Sequence, residues 1–184
     1  MSRISQTLDP FLTSSFSGYD FLLDLGTGDG KHIMDYQAFR GIPKKMGVEV
    51  CKYKETFHDS SWEIVTTLKE ALSKLPSSGK ILVTMLDFIE HLPKEEGVQL
   101  LKELEEKATS IFMYTPRGFL EQSVRTHPKL IKSNSAQNHV SGWTEVDFNC
   151  LGYTYRIFPD FLDPEGHSHK WDSIAAWKTL EVKI

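Results

Sequence analysis

Three polar side chains that could do chemistry stand together in the segment Asp87-Phe-Ile-Glu90-His91. Their spacing places all three on one side of a single helical turn. The His91 imidazole, whose ordinary pKa lies near neutrality, is suited to act as a general base. Two carboxylates and an imidazole are also a ligand set for a divalent cation, and His139 in a later loop could complete it. A third interpretation is that Glu90 and His91 cap the following helix and order its loop.

A second chemical feature is the glycine-rich stretch DLGTGDG at residues 24–30, between a predicted strand and a predicted helix. Glycines in such a turn allow positive φ and let backbone amides approach a ligand in front of the helix. The next predicted strand ends in Glu49, whose carboxylate could accept hydrogen bonds from two ribose hydroxyls. A dinucleotide fingerprint would need a third glycine at position 31, where Lys31 stands.

Asp24, immediately before this turn, narrows the kind of ligand that the turn could hold. A carboxylate there would repel a pyrophosphate, whereas it would attract the ammonium group of an amino-acid ligand. The pattern therefore favours a nucleoside with an amino-acid tail and no phosphates. Two other functional classes remain open. One is an NAD(P)-dependent oxidoreductase, and the other is a catalytically silent protein that binds a cofactor or a partner as a scaffold.

The elements that must position these residues alternate along the chain. The predicted strands are residues 19–25, 45–50, 62–66, 81–86, 110–115, 153–158 and 173–180. The predicted helices are residues 31–39, a stretch ending near 58, 68–75, one opening at Pro93, and 143–151 closed by Gly152. Alternation of this kind predicts an α/β fold with right-handed crossovers around a parallel sheet, and the last two strands can only form an antiparallel hairpin.

No linker or internal repeat interrupts the pattern, so we expect residues 1–184 to form a single domain. Residues 1–18 are expected to be a short helical or lid segment at its N-terminus. Two cysteines, Cys51 and Cys150, make no disulfide framework and are expected to be buried thiols.

Composition narrows the functional classes. The chain is 40% hydrophobic and 25% charged with a net charge of -4, which is ordinary for a globular protein and excludes disorder. Neither a long apolar run nor a secretory signal is present, so we expect a cytoplasmic protein with no membrane partner. Because no helix carries a basic stripe, nucleic acid is not expected as a partner. A monomer and a homodimer are both compatible with these features.

Three segments resemble the motifs of class I S-adenosylmethionine-dependent methyltransferases of the small-molecule type, similar to methyltransferase types 11 and 12. They are FLLDLGTGDGKH, GVEV and LDFIEHLPKEEGVQLL, and the resemblance extends over nearly the whole chain. It implies the Rossmann-like methyltransferase fold: a doubly wound, mostly parallel seven-stranded sheet with a C-terminal antiparallel hairpin. The implied activity is transfer of a methyl group from S-adenosylmethionine to a small-molecule acceptor, which we expect to be at oxygen.

The same resemblance implies residue roles. The cofactor would be bound by Asp24, Gly26, Thr27, Gly28, Gly30, Glu49, Leu86 and Asp87. The catalytic group would include His91, Glu90 and His139. Some members bind a metal through a similar acid-x-x-Glu-His segment, which would make Asp87, Glu90, His91 and His139 ligands of a divalent ion such as Mg²⁺.

Two further features concern the acceptor and the adenine. Segments similar to TPRGF…Q and H-x-SGW recur together in a subset of these enzymes, and they imply that Arg117, Gln122 and Trp143 shape the acceptor pocket. Many members also have an acidic residue after the third strand that contacts the adenine amine. Residues 64–68 contain none, so backbone groups, Thr66 or Thr67 would have to serve.

Overall fold

A computed structural model of the chain describes residues 3–34, 36–50, 60–121, 138–162 and 170–180. The strands are β1 Phe21–Leu25, β2 Lys44–Val48, β3 Trp62–Val65, β4 Ile81–Leu86, β5 Ser110–Pro116, β6 Thr154–Leu162 and β7 Lys170–Thr179. The helices are α1 Arg3–Ser15, α2 Lys31–Met34, α3 Gln37–Arg40, α4 Leu68–Lys74, α5 Lys94–Glu105 and α6 Glu145–Cys150. A 3-10 turn, Ile89–His91, precedes α5.

All seven strands join one sheet in the order β3-β2-β1-β4-β5-β7-β6. The strands from β3 to β5 are parallel, and β7 lies antiparallel to both β5 and β6. The expected doubly wound sheet with an antiparallel C-terminal hairpin is confirmed. The strand order reverses between β1 and β4, and a crevice for ligands opens beyond the carboxyl ends of strands at such a point.

Both faces of the sheet are covered by helices. On one face, Leu8 and Leu12 of α1 pack with residues of α2, α3 and the sheet. On the other, Leu101 and Leu104 of α5 pack with Phe148 of α6. Successive side chains of a strand point to opposite faces, so a strand covered on both sides needs an apolar run. The β4 sequence ILVTML has this pattern and is buried throughout.

Two predicted helices differ from the observed ones. The expected helix over residues 31–39 is divided into α2 and α3, because Tyr36 is extended, with φ −85° and ψ 118°, and its ring is buried. Gly41 follows with φ −77°, so it is not a left-handed cap. The expected helix over residues 143–151 begins at Glu145, since Thr144 and Asp147 form a capping box.

Several smaller expectations can also be compared with the described residues. Gly152 has φ +76° and follows α6 as expected. Cys150 is exposed, so the expectation that it is buried was wrong, whereas Cys51 and the helix predicted to end near residue 58 lie outside the described residues. Within the described ranges, no helix has both the length and the apolar character needed to cross a bilayer.

Candidate functional site

The two chemical features of the sequence meet at one edge of the sheet. The glycine turn follows β1, Glu49 follows β2, and Asp87 follows β4. Because β1 lies between β2 and β4, the parallel direction of these strands brings their carboxyl ends to the same edge. The predicted cofactor residues are therefore adjacent in the fold.

The turn after β1 is held open by its glycines. Gly26, Gly28 and Gly30 have φ values of +76°, +60° and +80°, a region that other residues rarely adopt. A Cβ on Gly26 would lie 2.5 Å from the ring of Phe88, so the turn also packs closely against the segment after β4. Any side chain at position 26 would force that segment away from the turn.

Glu49 contacts the turn directly. The Gly28 backbone N–H donates a 2.8 Å hydrogen bond to Glu49 Oε2, and the carboxylate is almost fully buried. Gly47, two residues earlier, has no Cβ, and one would lie 2.4 Å from Thr27 Oγ1. The end of β2 thus packs closely against the turn and places the Glu49 carboxylate beside it.

Asp24 is buried, and its Oδ1 accepts a 2.6 Å hydrogen bond from Thr84 Oγ1 on β4. Burial raises the pKa of Asp24 to about 7, and hydrogen bonds from Thr84 and Thr27 partly oppose this. The nearby Glu49 raises it further. A cation bound here would stabilise the ionised carboxylate.

Asp87 is strained. It is the one residue other than glycine in the described ranges with positive φ, at +52°. Its N–H donates a 2.8 Å hydrogen bond to the Tyr114 carbonyl of β5. Residues held in such conformations concentrate at ligand sites. The side chain of Leu86, immediately before it, is buried against the core.

Glu90 lies in the 3-10 turn with 2% of its surface exposed. Its Oε2 accepts a 2.9 Å hydrogen bond from Thr115 Oγ1, but its Oε1 is buried with no hydrogen-bond partner among the described residues. Burial first, and then the charge of Asp87, raises the pKa of Glu90 to about 8. A buried acceptor left unsatisfied is costly, so its presence indicates an absent partner.

His91 and His139 face each other beside Glu90, with ring centroids 4.9 Å apart. Nδ1 of His91 lies 3.0 Å from the Asn138 carbonyl, and Nδ1 of His139 lies 2.8 Å from the Leu120 carbonyl. A carbonyl can only accept, so each Nδ1 carries the proton and each neutral ring has an unprotonated Nε2. Nε2 of His139 lies 3.9 Å from Glu90 Oε1.

The two imidazoles favour the neutral form. Burial lowers the pKa of His139 to about 4, and the neighbouring His91 contributes to this. Burial also lowers the pKa of His91, although the Asn138 and Asp87 carbonyls oppose it. Glu90, His91 and His139 each offer one ligand atom, all within 4.8 Å of one another. Backbone carbonyls that hold ring N–H groups in this way are typical partners of metal-binding histidines.

Two of the residues predicted to shape the acceptor pocket, Arg117 and Trp143, pair with each other through an isolated β-bridge. Arg117 donates from Nε to Glu145 at 2.9 Å and from Nη1 to Asp172 at 3.0 Å, so two acidic groups hold its guanidinium. Trp143 is fully buried, and its Nε1 donates to Ser141 Oγ at 3.1 Å. It could therefore shape a pocket through its neighbours rather than by exposing its ring.

The remaining predicted acceptor residue, Gln122, lies outside the described residues. On the cofactor side, Thr66 is exposed after β3, and the Thr67 hydroxyl accepts the Glu70 N–H at 3.2 Å as the N-cap of α4.

Three further residues, which were not among the predicted site residues, hold the site in place. Thr84 and Thr115 donate to the carboxylates of Asp24 and Glu90, and both are buried. Lys94 donates to the Gly142 carbonyl in the loop that carries His139. Thr84 is the one polar residue of β4, a signal that could have identified it, because a hydroxyl inside an apolar strand needs a buried partner. Thr115 shares β5 with Ser110 and Tyr114 and carries no such signal.

No protein-family model matches this chain, and no curated protein does. Solved structures resemble it in fold. A SAM-dependent methyltransferase from Archaeoglobus fulgidus superposes with a TM-score of 0.60 at 17% identity, over 95% of this chain and 93% of that chain. The methyltransferase domain of the bacterial protein CtHen1 gives 0.57 at 18% identity, over 97% and 98% of the two chains.

The N-terminal domain of EvdMO1, solved in the presence of S-adenosylhomocysteine and D-fucose, gives a TM-score of 0.63 at 12% identity. This match covers 97% of the present chain and 84% of that one. At such identities the likeness concerns the fold alone. The Rossmann-like methyltransferase fold expected from the sequence is therefore confirmed over almost the whole chain.

Proposed function

We propose that this protein is a methyltransferase that transfers a methyl group from S-adenosylmethionine to an oxygen atom of a small-molecule acceptor. The observation that carries the proposal is the adjacency of two sites at one sheet edge: the glycine turn bonded to Glu49, and the cluster of Glu90, His91 and His139. Methyl transfer needs a donor site beside a group that can orient and deprotonate the acceptor.

The cofactor half of the site would bind a nucleoside with an amino-acid tail. Asp24 would face the ammonium group, and its buried carboxylate, now with a pKa of about 7, would ionise on binding. Glu49 would accept from the ribose, while Gly28 leaves room for the tail, because even a Cβ there would meet no atom within 4 Å. Glycine at this position supports close approach of backbone to ligand.

The acceptor half fits a divalent metal. Glu90 Oε1 has no hydrogen-bond partner among the described residues, and the Nε2 atoms of His91 and His139 carry lone pairs, so these three residues would hold the ion. The predicted fourth ligand, Asp87, is not part of this group of three, so the metal proposal rests on Glu90, His91 and His139. A bound divalent ion would lower the pKa of a nearby hydroxyl and fix its orientation. Without a metal, His91 would be the base that accepts the hydroxyl proton.

The donor set bears on which metal is used. Mg²⁺ prefers oxygen ligands and retains most of its waters, whereas imidazole nitrogens suit later first-row ions. Two imidazoles with one carboxylate therefore favour Mn²⁺ or Co²⁺ over Mg²⁺.

Phe119 and Val140, both more than half exposed, lie on the two loops that meet beside His139. We expect part of the acceptor to be apolar.

The decisive experiment is calorimetric titration of S-adenosylmethionine into the purified protein. We expect one site, and Asp24→Asn should lower its affinity about 10- to 100-fold, because a charged hydrogen bond is lost. Glu63→Gln, an exposed carboxylate on β3, is the matched control and should bind as the wild type does. Equal affinity in both variants would contradict the role of Asp24.

Two further experiments distinguish the proposed methyltransferase from an oxidoreductase and from a silent scaffold. Binding of NADH with no binding of S-adenosylmethionine would favour an oxidoreductase. Formation of S-adenosylhomocysteine with a panel of hydroxylated acceptors, measured with and without a chelator, would exclude a silent scaffold. Loss of turnover with the chelator and its recovery with Mn²⁺ would support the metal, whereas turnover unaffected by the chelator would favour His91 as base.

A further inference from the structure

One ammonium group joins the two chain segments that carry the histidines. Lys94 Nζ donates to the Gly142 carbonyl and pairs with Asp147 Oδ2 at 2.9 Å. It also lies 4.0 Å from the ring centroid of Trp143. His91 stands three residues before Lys94, and His139 stands three residues before Gly142. The Lys94–Gly142 hydrogen bond therefore links the two segments that carry the imidazoles.

The carboxylate partner of Lys94 has a second structural role. Asp147 Oδ2 also accepts from the Thr144 N–H and hydroxyl, each at 2.8 Å, which forms the capping box of α6. Lys94 thereby ties the first turn of α5 to the first turn of α6. The loop that carries His139 enters α6 directly and has little freedom to move away.

The rest of this loop is held by backbone contacts. Val140 N–H and Ser141 N–H both donate to the Glu90 carbonyl, at 2.9 and 3.1 Å. A Cβ on Gly142 would lie 2.5 Å from the Phe119 backbone nitrogen, so the two loops touch. Lys94 is the one side chain in the described ranges that fixes this loop through an ammonium group.

We propose that Lys94 is a positioning residue that sets the separation of His91 and His139, and thereby the affinity of their site for a divalent cation. This inference rests on the proposed metal-dependent function. Lys94 touches neither the histidine rings nor Glu90 in the contacts described here, so it acts through the loop that it holds.

Lys178 provides a matched control, because its surroundings are nearly the same. Its Nζ pairs with Glu105 Oε2 at 2.8 Å, donates to the Leu151 carbonyl at 3.1 Å, and lies 5.2 Å from the ring centroid of Tyr153. Both lysines are about one quarter to one third exposed. Lys178, however, contacts the C-terminal end of α6, and no histidine of the described ranges adjoins it.

The test compares Mn²⁺ binding by calorimetry in the wild type, Lys94→Met, Lys94→Arg and Lys178→Met. We expect Lys94→Met to weaken Mn²⁺ binding about 10- to 100-fold, as is typical when a residue that orients metal ligands is removed. Lys94→Arg should recover part of this affinity, because it keeps a cation at the site. Lys178→Met should bind Mn²⁺ within about twofold of the wild type, since distant sites act independently.

A metal-free measurement separates this inference from the proposed function. NMR spectra of the imidazole nitrogens report which ring nitrogen carries the proton. We expect the His139 signals to move in Lys94→Met and to stay in place in Lys178→Met, with the fold of each variant checked by its amide spectrum. If the wild type fails to bind Mn²⁺ while the ring signals respond to Lys94, the metal is overturned and the positioning role stands. Unchanged ring signals together with unchanged Mn²⁺ affinity in Lys94→Met would overturn the role of Lys94.

Discussion

Asp24 and Glu90 are two buried carboxylates at the same edge of the sheet, each with 2% of its surface exposed. Burial raises the pKa of both, to about 7 for Asp24 and about 8 for Glu90. Each accepts a hydrogen bond from a buried threonine, Thr84 or Thr115. Up to this point the two groups are built alike.

They differ in what surrounds the rest of the carboxylate. Asp24 lies beside a turn of backbone amides, which suits a polar organic ligand with a single positive group. Glu90 Oε1 has no hydrogen-bond partner in the described part of the chain and lies 3.9 Å from an unprotonated imidazole nitrogen. A metal ion can be coordinated by the lone pairs of both atoms at once. In the proposed function, the same carboxylate chemistry would therefore serve two different cations.

The largest effect that we expect from this difference is the loss of Mn²⁺ affinity in the variant Glu90→Gln. The amide keeps the size of the side chain but loses the negative charge, and removing a charged ligand should lower Mn²⁺ affinity by about 100-fold or more. Calorimetry with Mn²⁺ measures it, and Glu95→Gln on exposed α5 is the control. Affinity for S-adenosylmethionine should change little, and an equal loss of both ligands would show that the two carboxylates do not act separately.

The next largest effect is the pH dependence that Asp24 gives to the free energy of unfolding. Because the pKa of this group is raised from 3.8 to about 7 by folding, the folded state retains a proton that the unfolded state has released between those values. The free energy of unfolding should therefore fall as pH rises from about 4 to about 7, by about 4 kcal/mol for this group, and level off above. Urea denaturation of wild type and Asp24→Asn across that range measures it. A difference between the two proteins that does not depend on pH would contradict the assignment.

The smallest expected changes in ligand affinity come from substitution of Thr84 and Thr115. They test whether the Asp24 and Glu90 carboxylates act separately. Thr84→Val should weaken S-adenosylmethionine binding, and Thr115→Val should weaken Mn²⁺ binding, each by about tenfold, since each removes one hydrogen bond that orients a carboxylate. Each variant is the control for the other, because valine has the shape of threonine. If each substitution weakened both ligands equally, the cause would be general loosening of the sheet edge.

Much of the fold could be predicted because its signals are local. The ILVTML run of β4 matches the strand at both ends, and the glycines of residues 24–30 mark the turn after β1. Helix α6 shows a signal that was available but overlooked, the Thr144-x-x-Asp147 capping box. Tyr36 is different, because its extended backbone follows from burial of its ring against distant residues rather than from its neighbours in sequence.

Within the candidate site, too, some features follow from local sequence and others from contacts between distant segments. The spacing of Asp87, Glu90 and His91 predicts that they lie on one turn; the structure places Glu90 and His91 in the 3-10 turn and Asp87 before it. His139 joins Glu90 and His91 through contacts between segments distant in sequence, in which the Leu120 carbonyl holds its ring and Val140 N–H donates to the Glu90 carbonyl. No local pattern reports such a contact. The unsatisfied Glu90 Oε1 could likewise not be foreseen, because it depends on every atom that surrounds it.

The position of β7 has a consequence for how the protein is made. β7 lies between β5 and β6, although β6 precedes it in the chain. While the ribosome is still synthesising β7, the outer edge of β5 has no neighbour, and β6 has nothing in the sheet to pair with. Unpaired edges of this kind are templates for association with other chains. We expect nascent chains that end before Lys170 to aggregate or to be held by chaperones, and the sheet to close only when its last strand arrives.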